Sequence, residues 1–351
     1  MTTDERYMAR CLQLAACGRA GAAPNPMVGA VIVYNDTIIG EGYHRQCGGP
    51  HAEVNAIASV SDERLLRKAT IYVSLEPCAH YGKTPPCADL IIEKGIPRVV
   101  IGCRDSFDQV DGKGIQKLRQ AGIEVTVGVL ESECIALNRA FFTFHGERRP
   151  YVMLKWAQSA DRYIDLPYNE DVVHVPVRFS TDGSAQRVHR LRALSDAILV
   201  GRRTAMIDNP SLTTRLWPGK NPLRLVIDRC GTLDLDLRLF DKQVKTIVFT
   251  EVLRDFAADN IIEQVLIDFN KEIIPQILHF LYGKGVQRLL VEGGATLLQS
   301  FIDCGLWDEA YVETAPFALG KGVEAPKLNN VLKKADIPCF GNRIEHLLHV
   351  K

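Results

Sequence analysis

A chain of 351 residues with 46 % hydrophobic and 24 % charged side chains is long enough for two domains with ordinary cores and has the composition of a water-soluble globular protein. Its 42 Lys+Arg balance 42 Asp+Glu, and residues 1–150 carry 17 of each, which argues against a basic track for nucleic-acid phosphates and favours a small-molecule substrate. No apolar run is long enough to span a bilayer, the first residues lack a secretory pattern, and ten scattered cysteines fit a reducing cytoplasm better than a disulfide framework.

In chain order, Thr2-x-x-Glu5 reads as a capping box opening a helix with Tyr7, Cys11, Leu14 and Ala15 on one face, fading at 18–21. Pro24-Asn25-Pro26-Met27-Val28-Gly29 follows as a rigid loop. Residues 30–34 read as a buried strand, Asn35-Asp36 as a turn and 37–43 as the partner strand, ended by His44. A glycine-rich loop reaches His51-Ala52-Glu53, with a helix over 53–59. Residues 70–75 form the next strand, with Pro77-Cys78 directly after it. Pro85-Pro86-Cys87 opens a helix over 88–94 that Gly95 stops. Strands over 98–102 and 124–129 flank a helix over 115–121, which makes an α/β sandwich.

One imidazole and two thiolates, His51, Cys78 and Cys87, are a nitrogen/sulfur set that suits zinc and leaves a fourth position for water. Glu53 is not needed as a ligand and is the right residue to move a proton from that water to a leaving amine. His-x-Glu followed by Pro-Cys-x-x-Cys marks zinc base deaminases; here the second cysteine comes after an eight-residue insert, Ala79 to Pro86. Two blander readings stay open. A fourth thiolate from Cys47 or Cys103 would close a purely structural site, and the Cys and His could be unrelated core residues.

The loop 24–29, His51-Ala52-Glu53 and the run Leu75-Glu76-Pro77-Cys78-Ala79-His80-Tyr81-Gly82-Lys83-Thr84-Pro85-Pro86-Cys87 resemble the deaminase half of the bifunctional riboflavin-biosynthesis deaminase/reductase family. The resemblance implies a cytidine-deaminase-like α/β/α sandwich over 1–147. It implies zinc on His51, Cys78 and Cys87, with Glu53 as proton shuttle, and substrate contacts from Asn25, His44, His80 and Lys83. Asn25 between two prolines has little freedom, so its amide could read a pyrimidine edge at low entropic cost, or merely serve a turn. Lys83 could meet a ribose phosphate or simply be solvated.

The polar stretch 145–149 before Pro150 marks the boundary, and a second α/β domain is expected over 148–351. Strands are predicted over 151–157, 197–201, 223–228, 246–250, 288–292 and 309–314, with helices over 183–194 and 295–304 among them. No Gly-x-Gly-x-x-Gly follows a strand, but Val291-Glu292-Gly293-Gly294-Ala295-Thr296 runs from strand through two glycines into a helix, where backbone N–H groups could meet a phosphate.

Ile198-Leu199-Val200-Gly201, Thr204, the run Asp208-Asn209-Pro210-Ser211-Leu212-Thr213, Arg215 and Glu292-Gly293-Gly294 resemble the reductase half of the same family, which implies a dihydrofolate-reductase-like fold and NADPH. By position, Lys155, Ser159, Asp161, Arg192, Leu212, Arg215 and Glu292 would line the substrate. Ala157, Thr204, Asp208, Gly293, Gly294 and Ala295 would hold the cofactor, with Arg229 placed to pair its 2′-phosphate and Arg202 and Arg203 as competitors. Arg162 stands where the family has glycine, and 165–179 shows no counterpart of its tryptophan loop, Ser180-Thr181 being what remains. The expected activity is zinc-dependent deamination of a pyrimidine ribosylamine phosphate followed by NADPH reduction of its ribosyl group. A homo-oligomer, dimer or tetramer, is expected, and charge and hydropathy argue against membrane or nucleic-acid partners. The rival readings are a deaminase with a silent reductase domain and a zinc-stabilised binding protein.

Overall fold

In a computed structural model, described over residues 1–79, 85–105, 112–168, 174–255 and 260–350, the chain divides into two compact units, Met1–Arg148 and Arg149–Lys351. His80 and Lys83 lie outside the described residues.

The first unit opens with α1 (Thr3–Cys17), whose capping box is formed: Glu5 N–H donates to Thr2 Oγ1 at 3.2 Å and Thr2 N–H to Glu5 Oε2 at 2.7 Å. Strands β1 (Gly29–Tyr34) and β2 (Thr37–Tyr43) make a hairpin whose two turn residues, Asn35 and Asp36, both have positive φ, as asparagine and aspartate tolerate best after glycine. There follow α2 (Ala52–Ala58), β3 (Thr70–Leu75), α3 (Cys87–Glu93), β4 (Arg98–Cys103), α4 (Lys113–Gln120), β5 (Glu124–Val127), α5 (Glu131–Leu137) and α6 (Arg139–Glu147). The sheet order is β2-β1-β3-β4-β5, with β3, β4 and β5 parallel. Strand alternation sorts the core. Ile32, Ile71, Val73 and Ile101 face α2, α3 and α4, whereas Val31, Tyr72 and Val100 face Met8 and Cys11 of α1 and Cys134 of α5. Two covered faces make the sandwich, and they explain why these strands read as continuous apolar runs.

In the second unit, β6 (Tyr151–Gln158), β7 (Tyr163–Asp165), α7 (Asp182–Ala193), β8 (Ala197–Gly201), α8 (Arg202–Asp208), β9 (Leu223–Ile227), β10 (Thr246–Thr250) and β11 (Ile262–Leu266) are followed by α9 (Ile273–Gly283), β12 (Arg288–Val291), α10 (Ala295–Asp303), β13 (Glu309–Thr314), β14 (Val323–Glu324), β15 (Val331–Cys339) and β16 (Asn342–His349). Nine of these strands form one sheet in the order β11-β10-β9-β8-β12-β6-β13-β16-β15. It is parallel from β11 to β13, and the C-terminal hairpin β15–β16 adds antiparallel at β13. Trp156, Leu199, Leu278 and Phe301 belong to the core that α9 and α10 close over one face. Asp308 closes the start of β6, accepting from Arg149 through both oxygens at 2.7 Å and from Val152 N–H at 2.7 Å.

Arg162 adopts φ +66, the left-handed region, in the turn between β6 and β7. The turn keeps the backbone shape that a glycine would hold without steric cost.

Candidate active sites

The first site gathers at one edge of the first unit's sheet. His51 is the residue on which α2 begins, Cys87 is the first residue of α3, and Cys78 lies three positions past β3. His51 Nδ1 is 3.6 Å from Cys78 Sγ and 3.3 Å from Cys87 Sγ, and the three donor atoms all lie within 4.8 Å of one another. Tetrahedral zinc with ordinary Zn–S and Zn–N bonds separates its ligand atoms by roughly 3.5–3.8 Å, so this set fits zinc with little movement. The Cys87 thiol and the nearby imidazole pull Cys78 down to about 4, well below the ordinary thiol range. Cys87 N–H donates to Cys78 Sγ at 3.3 Å, tying the two thiols to one helix start. Cys47 and Cys103 are not part of this cluster.

Glu53 sits in the first turn of α2, 3 % exposed. Burial, then the Cys78 thiolate, push its carboxyl up to about 7. Beside it, His44 and His51 meet edge to face with ring centres 5.4 Å apart. His44 Nδ1 donates to Pro50 O at 3.1 Å, so its Nε2 accepts from Asn25 Nδ2 at 3.1 Å. That chain of bonds sets the Asn25 amide with its nitrogen toward His44.

Glu76, quoted in the motif but given no role from sequence, is the residue that carries this edge. Its buried carboxylate accepts from the backbone N–H groups of Asp105 (3.4 Å), Gly112 (3.1 Å), Gly114 (3.0 Å) and Ile115 (3.2 Å). It thereby caps α4 and clips the ends of β3 and β4 together, two residues before Cys78. A Cβ at Gly114 would lie 2.0 Å from Pro77 O, so only glycine permits this approach.

The second site is a cleft of about 510 Å³ in the second unit. Lys155 and Ala157 of β6, Thr204 and Asp208 of α8, and Glu292 with the Gly293–Ala295 turn line it together. Gly293 has φ +116, and a Cβ on Gly294 would come within 3.2 Å of Thr204 Oγ1. Bare backbone thus approaches the start of α10, which no side chain caps, and a phosphate suits such a terminus. The dinucleotide fits this cleft by that test.

Of the remaining expected residues, Arg202, Arg203 and Arg229 line the cleft, whereas Ser159, Asp161, Arg192, Leu212 and Arg215 are not among its lining residues. Arg192 grips Glu292 through two bonds of 2.8 and 2.6 Å and also donates to Thr213 O at 3.3 Å. Arg215 donates through its side chain to Thr213 Oγ1 at 2.7 Å and through its backbone to His189 Nδ1 at 2.9 Å. Leu212 is buried, with φ +51. Ser159 and Asp161 bond to each other at 2.6 Å, and Asp161 also accepts from Leu319 and Gly320 N–H, so this pair clips a turn. Arg229 lines the cleft but already donates to Glu251 at 2.7 Å. Arg202 faces Asp228 at 3.3 Å, and Arg203 stacks over Tyr168 with 4.6 Å to the ring centre.

The segment between Arg162 and Phe179 holds none of the expected site residues, yet Asp165, Tyr168, His174 and Phe179 line the cleft. His174 Nε2 and Asp165 Oδ2 are 2.7 Å apart. The signal available was a histidine and two aromatics in a stretch otherwise without pattern.

Comparison with known proteins bears on both units. A model of the RibD C-terminal domain matches residues 150–344, and one of the cytidine and deoxycytidylate deaminase zinc-binding region matches residues 1–103. The chain is 40 % identical to the riboflavin biosynthesis protein RibD of Aquifex aeolicus, over 98 % of this chain and 96 % of that one. It is 36 % identical to RibD of Escherichia coli, over 99 % and 96 %. A crystal structure of a Thermotoga maritima diaminohydroxyphosphoribosylaminopyrimidine deaminase/5-amino-6-(5-phosphoribosylamino)uracil reductase superposes with a TM-score of 0.87 at 36 % identity, covering 99 % of each chain. RibD of Acinetobacter baumannii gives 0.86 at 32 % identity, again over 99 % of each.

Proposed function

The chain belongs to the RibD family of riboflavin-biosynthesis proteins, and from that membership we propose which of its residues carry each half of the chemistry. It is a bifunctional enzyme: a zinc-dependent deaminase joined to an NADPH-dependent reductase, acting on a small pyrimidine.

Residues 1–147 deaminate the ring of 2,5-diamino-6-ribosylamino-4(3H)-pyrimidinone 5′-phosphate. His51, Cys78 and Cys87 hold zinc, which when bound makes water nucleophilic at neutral pH. Glu53 takes a proton from the water that adds to the amine-bearing ring carbon and gives it to the ring nitrogen, then passes the adduct's hydroxyl proton to the amine, whose C–N bond breaks as ammonia leaves. Asn25 and His44 meet the pyrimidine edge, and His80 and Lys83 complete the substrate contacts.

Residues 148–351 reduce the ribosyl group to ribityl. NADPH supplies the hydride. Ala157, Thr204, Asp208 and the Gly293–Ala295 turn hold the cofactor, with Arg229 toward its 2′-phosphate. Lys155 and Glu292 place the sugar, Arg192 keeps Glu292 ionised and fixed, and Ser159, Asp161, Leu212 and Arg215 shape the surrounding wall. A homo-oligomer, dimer or tetramer, agrees with the exposed apolar Leu332 and Phe340 at the edge hairpin. Ten unpaired cysteines agree with a cytoplasmic setting.

The observation that carries this reading is the His51/Cys78/Cys87 cluster with buried Glu53 beside it. The test is to incubate pure protein with the diaminopyrimidine substrate, with and without NADPH, and to weigh the products. Deaminated product alone is expected without NADPH, and deaminated, reduced product with it. An unchanged substrate in both arms would overturn the assignment.

A further inference from the structure

Strand β6 runs between β12 and β13, and its register places charge around Lys155. Val291 of β12 is level with Leu154, so Glu292, the next residue, follows beside Lys155. On the other side Tyr311 of β13 is level with Lys155 and Glu313 with Ala157. Side chains alternate along strands, so Lys155, Tyr311 and Glu313 share one face of the sheet. Lys155 and Glu313 line a small pocket with Ser184, Arg187 and Arg190 of α7, and Lys155 lines the cofactor cleft as well.

The two acids are satisfied differently. Glu292 has the bidentate Arg192. Glu313 is 2 % exposed and, among the described residues, no arginine grips it; Ser180 Oγ donates to it at 2.6 Å and Asn342 Nδ2 at 2.5 Å. Burial alone would raise its carboxyl, but the hydrogen bonds of Ser180, Ser184 and Asn342, with the charge of Lys155, hold it below its ordinary value. A buried carboxylate kept ionised by neutral donors retains its negative charge, and Lys155 is the cation whose charge acts on it. Deep burial makes that attraction far stronger than a surface pair.

We propose that Glu313 is a positioning residue of the reductase, whose buried charge holds the Lys155 ammonium at the mouth of the cofactor cleft, with Ser180 and Asn342 holding Glu313. This rests on the assignment of Lys155 to the substrate. It also ties Ser180, the remnant of the family's loop, to Lys155 through Glu313. A mere clamp on the segment before α7 would be served as well by an amide, because Asn342 also donates to Phe179 O at 3.0 Å.

Glu313→Gln removes the charge and keeps the shape. With NADPH and the deaminated intermediate, the variant should lose kcat on the order of tenfold, with KM for NADPH and the deaminase rate unchanged. Glu313→Asp should recover part of the loss. Lys155→Ala combined with Glu313→Gln should be no slower than Lys155→Ala alone, since both remove one interaction. Parent-level kcat in Glu313→Gln, or losses that multiply in the double variant, would overturn the proposal. If the glutamine variant does not fold, Glu313→Asp carries the same cycle, and multiplying losses there have the same force. Should Lys155→Ala itself turn over at the parent rate, the assignment of Lys155 fails; a loss in Lys155→Ala with none in Glu313→Gln sinks only the role of Glu313.

Discussion

In the proposed mechanism the proton chemistry of the first site rests on one side chain. Glu53 is buried and interacts with both thiols and the imidazole, and among the described residues that donor cluster itself contains no carboxylate. Glu53→Gln should keep zinc at about one per chain and lower deamination at least 10²-fold, the usual contribution of a placed general acid–base. Metal analysis with a deaminase assay checks it, and substantial turnover by the variant would sink the role. The reductase half offers two further tests. At Arg162, φ +66 forces an exposed arginine into a region that costs a non-glycine roughly 1–2 kcal/mol, partly offset by the entropy a glycine loses on folding. Arg162→Gly should therefore stabilise the second unit by about 0.5–1 kcal/mol, seen as a rise of roughly 1–4 °C in its melting temperature. At Arg229, the Glu251 carboxylate competes with any phosphate for the same guanidinium. Arg229→Ala should raise the NADPH KM about three- to tenfold, and Glu251→Gln should lower it, with NADH use and deamination unmoved. An NADPH KM indifferent to both changes would leave Arg202 or Arg203 as the reader of the 2′-phosphate.

At the scale of elements, the first site depends on three segments arriving at one edge, and Glu76 is what joins them. Four backbone donors converge on its carboxylate, so Glu76→Gln, with one acceptor oxygen, strands about two of them at a cost of about 2–4 kcal/mol. A lower melting temperature of the first unit and weaker zinc retention against a chelator are expected; an unchanged melt would show the loop to be held otherwise. The sequence exposed the ligands here because their residue types are chemically rare, and it exposed β1, β3 and β4 because both faces of that sheet are covered. It hid Glu76 because a carboxylate bonded to distant backbone N–H groups leaves no pattern in its own neighbourhood. It hid β15 and β16 for a related reason. β15 is an edge strand with Lys333, Lys334, Asp336 and Pro338 in it and most of its length exposed, which is how an edge avoids further pairing and also how it loses strand character. Segments 131–147 and 202–208 became helices without a long amphipathic period to announce them. The wall built by Tyr168 and His174 was hidden because tertiary placement, not spacing, brings it to the cleft.

For the whole molecule, the division of residues between the units decides how the two activities respond to loss of metal. Every candidate zinc ligand belongs to Met1–Arg148, and every residue lining the cofactor cleft belongs to Arg149–Lys351. Zinc binding is coupled to the stability of the unit that supplies its ligands, because the unfolded segment holds metal far less well. Removing it should destabilise the first unit and leave the core around Trp156, Leu278 and Phe301 untouched. After dialysis against a strong chelator, deamination should fall to background while NADPH oxidation with the pre-deaminated intermediate keeps most of its rate. Calorimetry should show one transition moving down and another staying in place, since two-unit chains need not melt as one. Zinc added back should restore deamination and return the shifted transition. Loss of both activities together on chelation, with both restored by zinc, would mean that the metal serves the reductase too and that the chemistry is not divided between the units as assigned.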